Sequence, residues 1–342
     1  MDKVAVVILN WNGLSFLEKF LPGVVQHSAN AASVWIIDNA SSDDSVGWVR
    51  SNFPSVHIVS NDQNYGFAGG YNQGLDKIDA EYFVLLNSDV EVSENWITPV
   101  IEYMHSADIT ACQPKILSYS ERRKFEHAGA AGGFIDKHAF PFCRGRILWE
   151  YESDEGQYNE NSEIFWATGA AFFVKSEAYK ELGGLDADFF AHMEEIDFCW
   201  RLKNRGHKIG YCAESVVYHV GGGTLSSQSP YKTYLNFRNN LIMLAKNHRN
   251  SSTIWRVYVR LIIDGIAALR FLSEGKLKSI FAVARAHISF YLSIASVLRK
   301  RKTETAQLDS PNLKGYYKRS IVKAFLLRGL KHFSQLDDQD FV

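Results

Sequence analysis

Four short apolar runs limit what this chain can become. Residues 4–9, 34–37, 56–59 and 82–86 are rich in β-branched or aromatic side chains, and each stops at a polar cluster. Continuous runs of this length, without alternation, fit strands covered on both faces. Helical patterns occupy 14–27 and 45–52, so strand and helix alternate about every 25 residues, which predicts βαβ units and a mostly parallel, Rossmann-like sheet flanked by helices. In such sheets ligands sit beyond the carboxyl ends of the strands. The clusters found there are Asn10-Trp-Asn-Gly13, Asp38-Asn-Ala-Ser-Ser-Asp43, Asn61-Asp-Gln-Asn-Tyr-Gly66 and Asn87-Ser-Asp89. Any one of them has ordinary loop composition; four in succession mark a candidate binding edge.

With 342 residues the chain suits two domains, or one α/β domain with an appendage. A formal net charge of −1 conceals two opposite parts: residues 1–229 carry 17 Lys and Arg against 31 Asp and Glu, and residues 230–342 carry 20 against 7. The acidic body makes nucleic acid an unfavourable partner, whereas the basic C-terminal third suits an anionic surface such as a membrane leaflet. Four cysteines without a Cys-x-x-Cys pair indicate neither a zinc site nor a disulfide framework. The opening residues pass straight into the first apolar run without the pattern of a signal peptide, and a cytoplasmic location is expected.

Neither Gly-x-Gly-x-x-Gly nor Gly-x-x-x-x-Gly-Lys-Ser/Thr occurs, and Gly66-Phe-Ala-Gly-Gly70 has the wrong spacing for both, so a dehydrogenase or P-loop enzyme is not expected. Residues 110–165 read as a loop-rich insertion, followed by an apolar segment at 164–175 and a helix at 177–182 stopped by Gly183-Gly184. At 255–272 the charged residues Arg256, Arg260, Asp264 and Arg270 fall on one stripe of a helix. Residues 279–298 hold only Arg285 as a charge and lead into Arg299-Lys-Arg-Lys302. A mid-helix Arg, His287 and four serines weigh against a transmembrane span. An interfacial helix on anionic lipid is the first reading, with a packed amphipathic helix and a span as alternatives.

Three places can carry chemistry. Asp89 ends a buried strand, where a carboxylate can hold a divalent cation that bridges two phosphates. In His192-Met-Glu-Glu-Ile-Asp-Phe-Cys-Trp-Arg201 three carboxylates fall in four positions, and Glu194 and Asp197 share a helix face while Glu195 points about 100° away. Crowded like charges raise the pKa of at least one member toward a useful base, although a helix N-terminus also welcomes acids for its own stability. Val216-Val-Tyr-His219 delivers a histidine to Val220-Gly-Gly-Gly-Thr224, as a metal ligand beside glycines or as an ordinary loop histidine.

Taken in order, Val6-Val-Ile-Leu-Asn-Trp-Asn12, Ile37-Asp-Asn-Ala-Ser-Ser-Asp-Asp-Ser45, Asn64-Tyr-Gly-Phe-Ala-Gly-Gly-Tyr-Asn72, Leu85-Leu-Asn-Ser-Asp89, Ala167-Thr-Gly-Ala-Ala-Phe172, Gly183-Gly-Leu-Asp186, Glu194-Glu-Ile-Asp-Phe-Cys-Trp-Arg201 and Tyr218-His-Val-Gly-Gly222 resemble glycosyltransferase family 2, in its bacterial rhamnosyltransferase-like branch. Asn236-Phe-Arg-Asn-Asn240 is similar to the segment that follows the catalytic domain in that family.

The resemblance implies a GT-A fold over residues 1–240; charge and helical periodicity, not the resemblance, give a basic, amphipathic helical region over 241–342. The resemblance also implies a dTDP- or UDP-sugar donor, a divalent cofactor (Mg²⁺ or Mn²⁺) and transfer with inversion to a glycan or lipid-linked acceptor; the basic C-terminal third adds the expectation of a peripheral place at the inner face of the cytoplasmic membrane. Asn10, Asn12, Asp38, Asn64, Gly66, Phe67, Asn87 and Ser88 match the nucleotide-binding positions, Asp89 and His219 the metal ligands, and Glu195 the base, with Glu194 and Asp197 as alternatives. Two departures stand out: Asn87 replaces the first acid of Asp-x-Asp, and the base is Glu where Asp is common. A nucleotidyltransferase, or a sugar-nucleotide-binding subunit without catalysis, is the competing expectation.

Overall fold

A computed structural model describes residues 2–221, 229–249, 251–306 and 310–342. The glycines expected to follow His219 at 222 and 223 lie outside the described residues. The first half follows the predicted alternation: β1 (Asp2–Asn10), α1 (Leu14–Ser28), β2 (Ser33–Asp38), α2 (Ser45–Asn52), β3 (His57–Ser60), α3 (Gly66–Leu75) and β4 (Ala80–Leu86). Strands β3, β2, β1 and β4 pair in parallel in that order. Burial of β1 on both faces explains its unbroken apolar run, since Val4 through Ile8 are all enclosed.

The region expected to be a loop-rich insertion is instead ordered. After β5 (Val90–Val92) and α4 (Thr98–Ser106), β6 (Ala111–Ser118) enters the middle of the main sheet. A second sheet is then built from β7 (Gly133–Asp136), β8 (Pro141–Cys143), β9 (Arg146–Ile147) and β10 (Glu150–Tyr151). The reason β6 escapes detection is chemical: Gln113 and Lys115 interrupt its apolar run, yet both are buried. Lys115 tolerates burial because Nζ meets Asp154 at 2.8 Å, a partner 39 positions away.

Next come β11 (Ser162–Ile164), β12 (Ala171–Lys175), α5 (Ser176–Glu181), α6 (Glu194–Asn204) and β13 (Ile209–His219). Strand β12 runs antiparallel between β4 and β6, and β13 is parallel to β6. The carboxyl ends of β1, β2, β3, β4, β6 and β13 therefore open on one edge, together with the start of β12.

The C-terminal third forms α7 (Pro230–Asn247), α8 (Thr253–Ser273) and α9 (Leu277–Ala306), so the expected boundary after residue 240 falls inside α7. The chain then returns to the body. β14 (Tyr316–Tyr317) joins β7, and α10 (Ile321–Arg328) leads to Phe333 and Phe341, which pack on Phe134 at 4.7 and 5.6 Å between ring centroids.

Helix α7 is locked to α6 by buried charge. Lys246 Nζ lies 2.6 Å from Asp186 and 2.8 Å from Asp197, while Arg201 Nε donates to Asp197 at 3.0 Å and Asn247 Nδ2 at 2.7 Å. Removing one partner from a buried pair strands the others in low dielectric. Asp197→Ala is thus expected to lower folding stability by about 3 kcal/mol or more, measured by chemical denaturation; a change within experimental error would show that this junction contributes little.

Candidate functional site

At the sheet edge, the ends of β1 and β2 are tied side chain to side chain. Asn10 Nδ2 donates to Asp38 at 3.2 Å, Ser41 at 3.1 Å and Ser45 at 2.8 Å, and the second carboxylate oxygen of Asp38 accepts the Ser41 N–H at 3.2 Å. Asn12 sits at φ 51°, a region asparagine tolerates, and its Oδ1 accepts the N–H groups of Ser42 and Asp43. Trp11, in the first of the two loops so joined, is half-exposed.

Asn39, which the motif reading passed over, is the hub of the next loop. It donates to Asn64 Oδ1 at 2.8 Å and to the Gly66 carbonyl at 3.0 Å, and accepts from Asn61 and the Tyr65 N–H. Asn64 Oδ1 in turn accepts the Gly66 N–H at 2.8 Å. Gly66 is required here twice over: its φ is +72°, and a Cβ would lie 2.5 Å from the Phe190 ring. Phe67 donates its N–H to the Phe190 carbonyl at 2.8 Å and packs edge-on against Tyr71.

Beyond β4, Asn87 and Ser88 are half-buried and Asp89 is buried. Ser88 Oγ faces the first loop, 3.9 Å from where a Cβ on Gly13 would stand. Strand β5 pairs Val90 with His219, which sets Asp89 Oδ1 3.1 Å from His219 Nε2; Asn87 Nδ2 is 3.5 Å from the same nitrogen. The other imidazole nitrogen, Nδ1, meets Glu126 Oε2 at 3.0 Å. Burial opposes a charge on His219, but these two hydrogen bonds outweigh it and raise its pKa to about 10. Glu126 carries no sequence signal, being one of nine acids in the segment expected to be irregular. Among the described residues no group of three or more His, Cys, Asp and Glu is arranged to hold a metal.

The three clustered acids separate sharply. Glu194 and Glu195 open α6, with Glu194 enclosed and Glu195 partly accessible. Burial, with Glu195 as like-charge neighbour, pushes Glu194 well above the usual carboxylate range, and burial raises Glu195 to about 7. One oxygen of each is buried without a hydrogen-bond partner. Asp197, the remaining alternative base, is fully buried and committed to Lys246, Arg201 and Asn247, so the structure removes it from that role. Glu195 Cγ lies 3.8 Å from a Cβ position on Gly169, and the Phe67 ring 3.6 Å from the same point. Ala170, next in the chain, accepts the Asn87 N–H at 3.0 Å. Glu195 and Asn87 thus both lie against residues 169–170, just before β12.

The loop before α6 is strained, with Phe190, His192 and Met193 all at φ between 64° and 72°. Helix α7 holds it there. Asn239 Nδ2 donates toward the carbonyls of Phe189, Ala191 and His192, and Arg238 toward those of Asp188 and Phe189.

Comparison with known proteins agrees with this architecture. The family model described as glycosyl transferase family 2 matches residues 5–183. The low-salt glycan biosynthesis hexosyltransferase Agl10 of Haloferax volcanii is 24% identical over 288 residues, covering 82% of this chain and 88% of that protein. An N-acetylglucosaminyl-diphospho-decaprenol L-rhamnosyltransferase of Mycobacterium tuberculosis is 22% identical over 285 residues, covering 79% of this chain and 92% of that protein. Among solved structures, the mannosyltransferase PcManGT from Pyrobaculum calidifontis, in complex with GDP-Man and Mn²⁺, superposes with a TM-score of 0.52 at 13% identity, covering 89% of this chain and 85% of that one. That likeness shows a GT-A fold, and the match that begins in β1 and runs on through β12 shows that the chain belongs to glycosyl transferase family 2.

Proposed function

We propose that the protein is a metal-dependent, inverting glycosyltransferase that moves a sugar from a nucleotide diphosphate to a hydroxyl of a lipid-linked or cell-surface glycan, working at the cytoplasmic face of a membrane. The similarity to a rhamnosyltransferase makes dTDP-rhamnose the first donor to test, with UDP-sugars next. The observation that carries the reading is the placement of Glu195, a half-buried carboxylate raised to about 7 at the edge that also holds Asp89 and His219.

In this reading Asp38 and the backbone around Asn10 and Asn12 receive the base. Asn64, Gly66 and Phe67 close over the ribose, and Asn87 and Ser88 line the approach to the diphosphate. The donor set of one carboxylate and one imidazole suits Mg²⁺ or Mn²⁺, and an imidazole whose far nitrogen is fixed by a carboxylate is the usual arrangement of a ligating histidine. Mg²⁺ is commonly held by one or two carboxylates with substrate phosphates and water completing its shell. Once bound, such an ion stabilises the negative charge that develops on the departing diphosphate. Glu195 orients the acceptor hydroxyl and takes its proton as the oxygen attacks the anomeric carbon. Glu194, kept protonated beside it, leaves the pair with a single negative charge. One displacement inverts the configuration and needs no covalent intermediate.

Glu195→Gln is expected to lower kcat by about 10²–10⁴ while donor affinity stays near wild type, since an amide keeps the shape and cannot accept the proton. Wild-type turnover should decline as pH falls through about 7. Because burial raises the folded-state pKa above the ordinary 4.5, this carboxyl stabilises the fold at low pH and loses that contribution as pH rises to about 7. Glu195→Gln should therefore melt higher than wild type at pH 8 and not at pH 4. Full turnover in this variant would move the base elsewhere.

Asp89→Asn should retain the hydrogen bond to His219 and the fold but cut turnover by about 10² or more. Mn²⁺ affinity, titrated calorimetrically, should rise with pH and release protons, because the cation must displace a proton held between Asp89 and His219. Chelator-resistant turnover, or Mn²⁺ binding that ignores pH, would count against the metal role.

A further inference from the structure

Helix α8 packs with its polarity reversed. Its charged stripe faces inward, where Arg260 Nε donates to Asp264 at 2.7 Å, Arg260 also bonds Asn240, its guanidinium lies 3.7 Å from the Phe140 ring centroid, and His287 of α9 reaches Asp264 at 3.4 Å. Arg256 likewise turns to the Tyr316 hydroxyl at 3.0 Å. The opposite face is apolar and uncovered: Ile254, Trp255, Tyr258, Ile262, Ile266 and Leu269 fall within about 120° of one another at 100° per residue, and all are exposed. Helix α9 shows the same division. Ala282, Val283, Ala286, Phe290 and Val297 are buried on its inner side, whereas Leu277, Phe281, Ile288 and Leu292 form an outer stripe, with Phe281 74% and Leu292 82% exposed. Exposed Leu326 and Leu327 of α10 add to the uncovered apolar surface, and Trp149 packs on their neighbour Phe325 at 4.7 Å and under Arg270 of α8 at 4.0 Å. An uncovered apolar surface on this scale marks a docking site.

Cations border it. Lys276, Lys278, Arg299, Lys302, Lys323 and Arg328 are exposed on or beside these helices, in a region with 20 basic against 7 acidic residues. Apolar stripes carrying aromatic side chains and edged by Lys and Arg match an anionic lipid surface, in which such a helix lies with its apolar face 5–10 Å deep. Residues 277–304 are also long and apolar enough to cross a membrane, but only by leaving α7, and cations at their end are bonded to the body. Lys300 pairs with Asp188 at 2.7 Å, and Arg301 donates to the carbonyls of Ala245 and His248.

We infer that the outer faces of α8 and α9 lie in the headgroup region of an anionic leaflet as a shallow, non-spanning anchor. This rests on the proposed membrane-side acceptor and names the surface that meets the bilayer. The same layer grips the site: Lys300 of α9 reaches Asp186 and Asp188, and Asn239 of α7 holds the carbonyls just before Glu194. Docking on lipid would thus set the loop beside Glu195 at a fixed height above the headgroups, where a lipid-linked hydroxyl arrives.

The test is co-sedimentation of the full chain with phosphatidylcholine vesicles and with vesicles containing 30% phosphatidylglycerol. Wild type is compared with Phe281→Glu/Ile288→Glu/Leu292→Glu and with Lys278→Ala/Arg299→Ala/Lys302→Ala, beside melting temperature, light scattering and dTDP-rhamnose or UDP-sugar hydrolysis. Wild type should favour the anionic vesicles and be released by carbonate. The apolar variant should bind about 100-fold more weakly or worse, and the cation variant should lose mainly the preference for anionic lipid, both with wild-type melting. Brominated lipid should quench a fraction of tryptophan emission that Trp255→Phe removes. Vesicle binding by the apolar variant at wild-type strength overturns the proposal. So does a wild-type dimer that the apolar variant dissolves, since a second copy would then cover the face, and so does resistance to carbonate, the mark of a span. Donor hydrolysis reports separately on the glycosyltransferase reading: its absence in a wild type that still binds vesicles sinks that reading and spares the anchor.

Discussion

The enclosed ammonium of Lys246 sets the terms for the edge that carries the candidate site. A lone charge at that depth would be prohibitively costly, and the structure neutralises it with Asp186, from the strained loop, and Asp197, one turn into α6. Those two contacts determine where α6 begins, and the carboxylates at its first two positions go where the helix goes. Among the described residues no ion pair reaches Glu194 or Glu195, and burial raises both. The same arrangement that stabilises α6 against α7 thereby leaves two raised carboxyls at the start of the helix.

Much of this was legible in the chain. Periodicity placed β1, β2, β3 and β4 to within two residues at either end, because strands buried on both faces cannot disguise their composition. The polar clusters after them did converge on one edge, since parallel pairing leaves no other arrangement. Where reading failed, the partners lay far off in sequence. The buried cation of β6 is matched by Asp154, and Glu126 gains meaning only when β13 brings His219 to it. By spacing Asp197 shared a helix face with Glu194, and its commitment to Lys246 and Asn247, 49 and 50 positions on, sets it apart.

Helix α8 shows a different limit. A moment of hydrophobicity reports that a helix has two faces; it does not say which one meets the protein. Here the usual assignment is inverted because the body offers the polar stripe better partners than water does, namely the Asn240 amide, the Phe140 ring and His287. The apolar face is left uncovered.

The departure at Asn87 can be weighed in the same terms. If the first acid of Asp-x-Asp were present, His219 would have a second carboxylate on its Nε2 side; the amide at 3.5 Å supplies a dipole and no charge. Glu126 restores the balance from the far nitrogen, where burial works against its ionisation but His219 and the Ala128 N–H keep its pKa low. Two negative charges therefore flank one imidazole, on opposite sides instead of the same side. A carboxylate on Nδ1 leaves Nε2 and Asp89 facing each other as a matched pair, and it makes the imidazole more basic toward whatever cation takes the place of its proton. Relative to an Asp-x-Asp site, a carboxylate thus stands on the far side of His219, at Glu126, where the near side has the Asn87 amide.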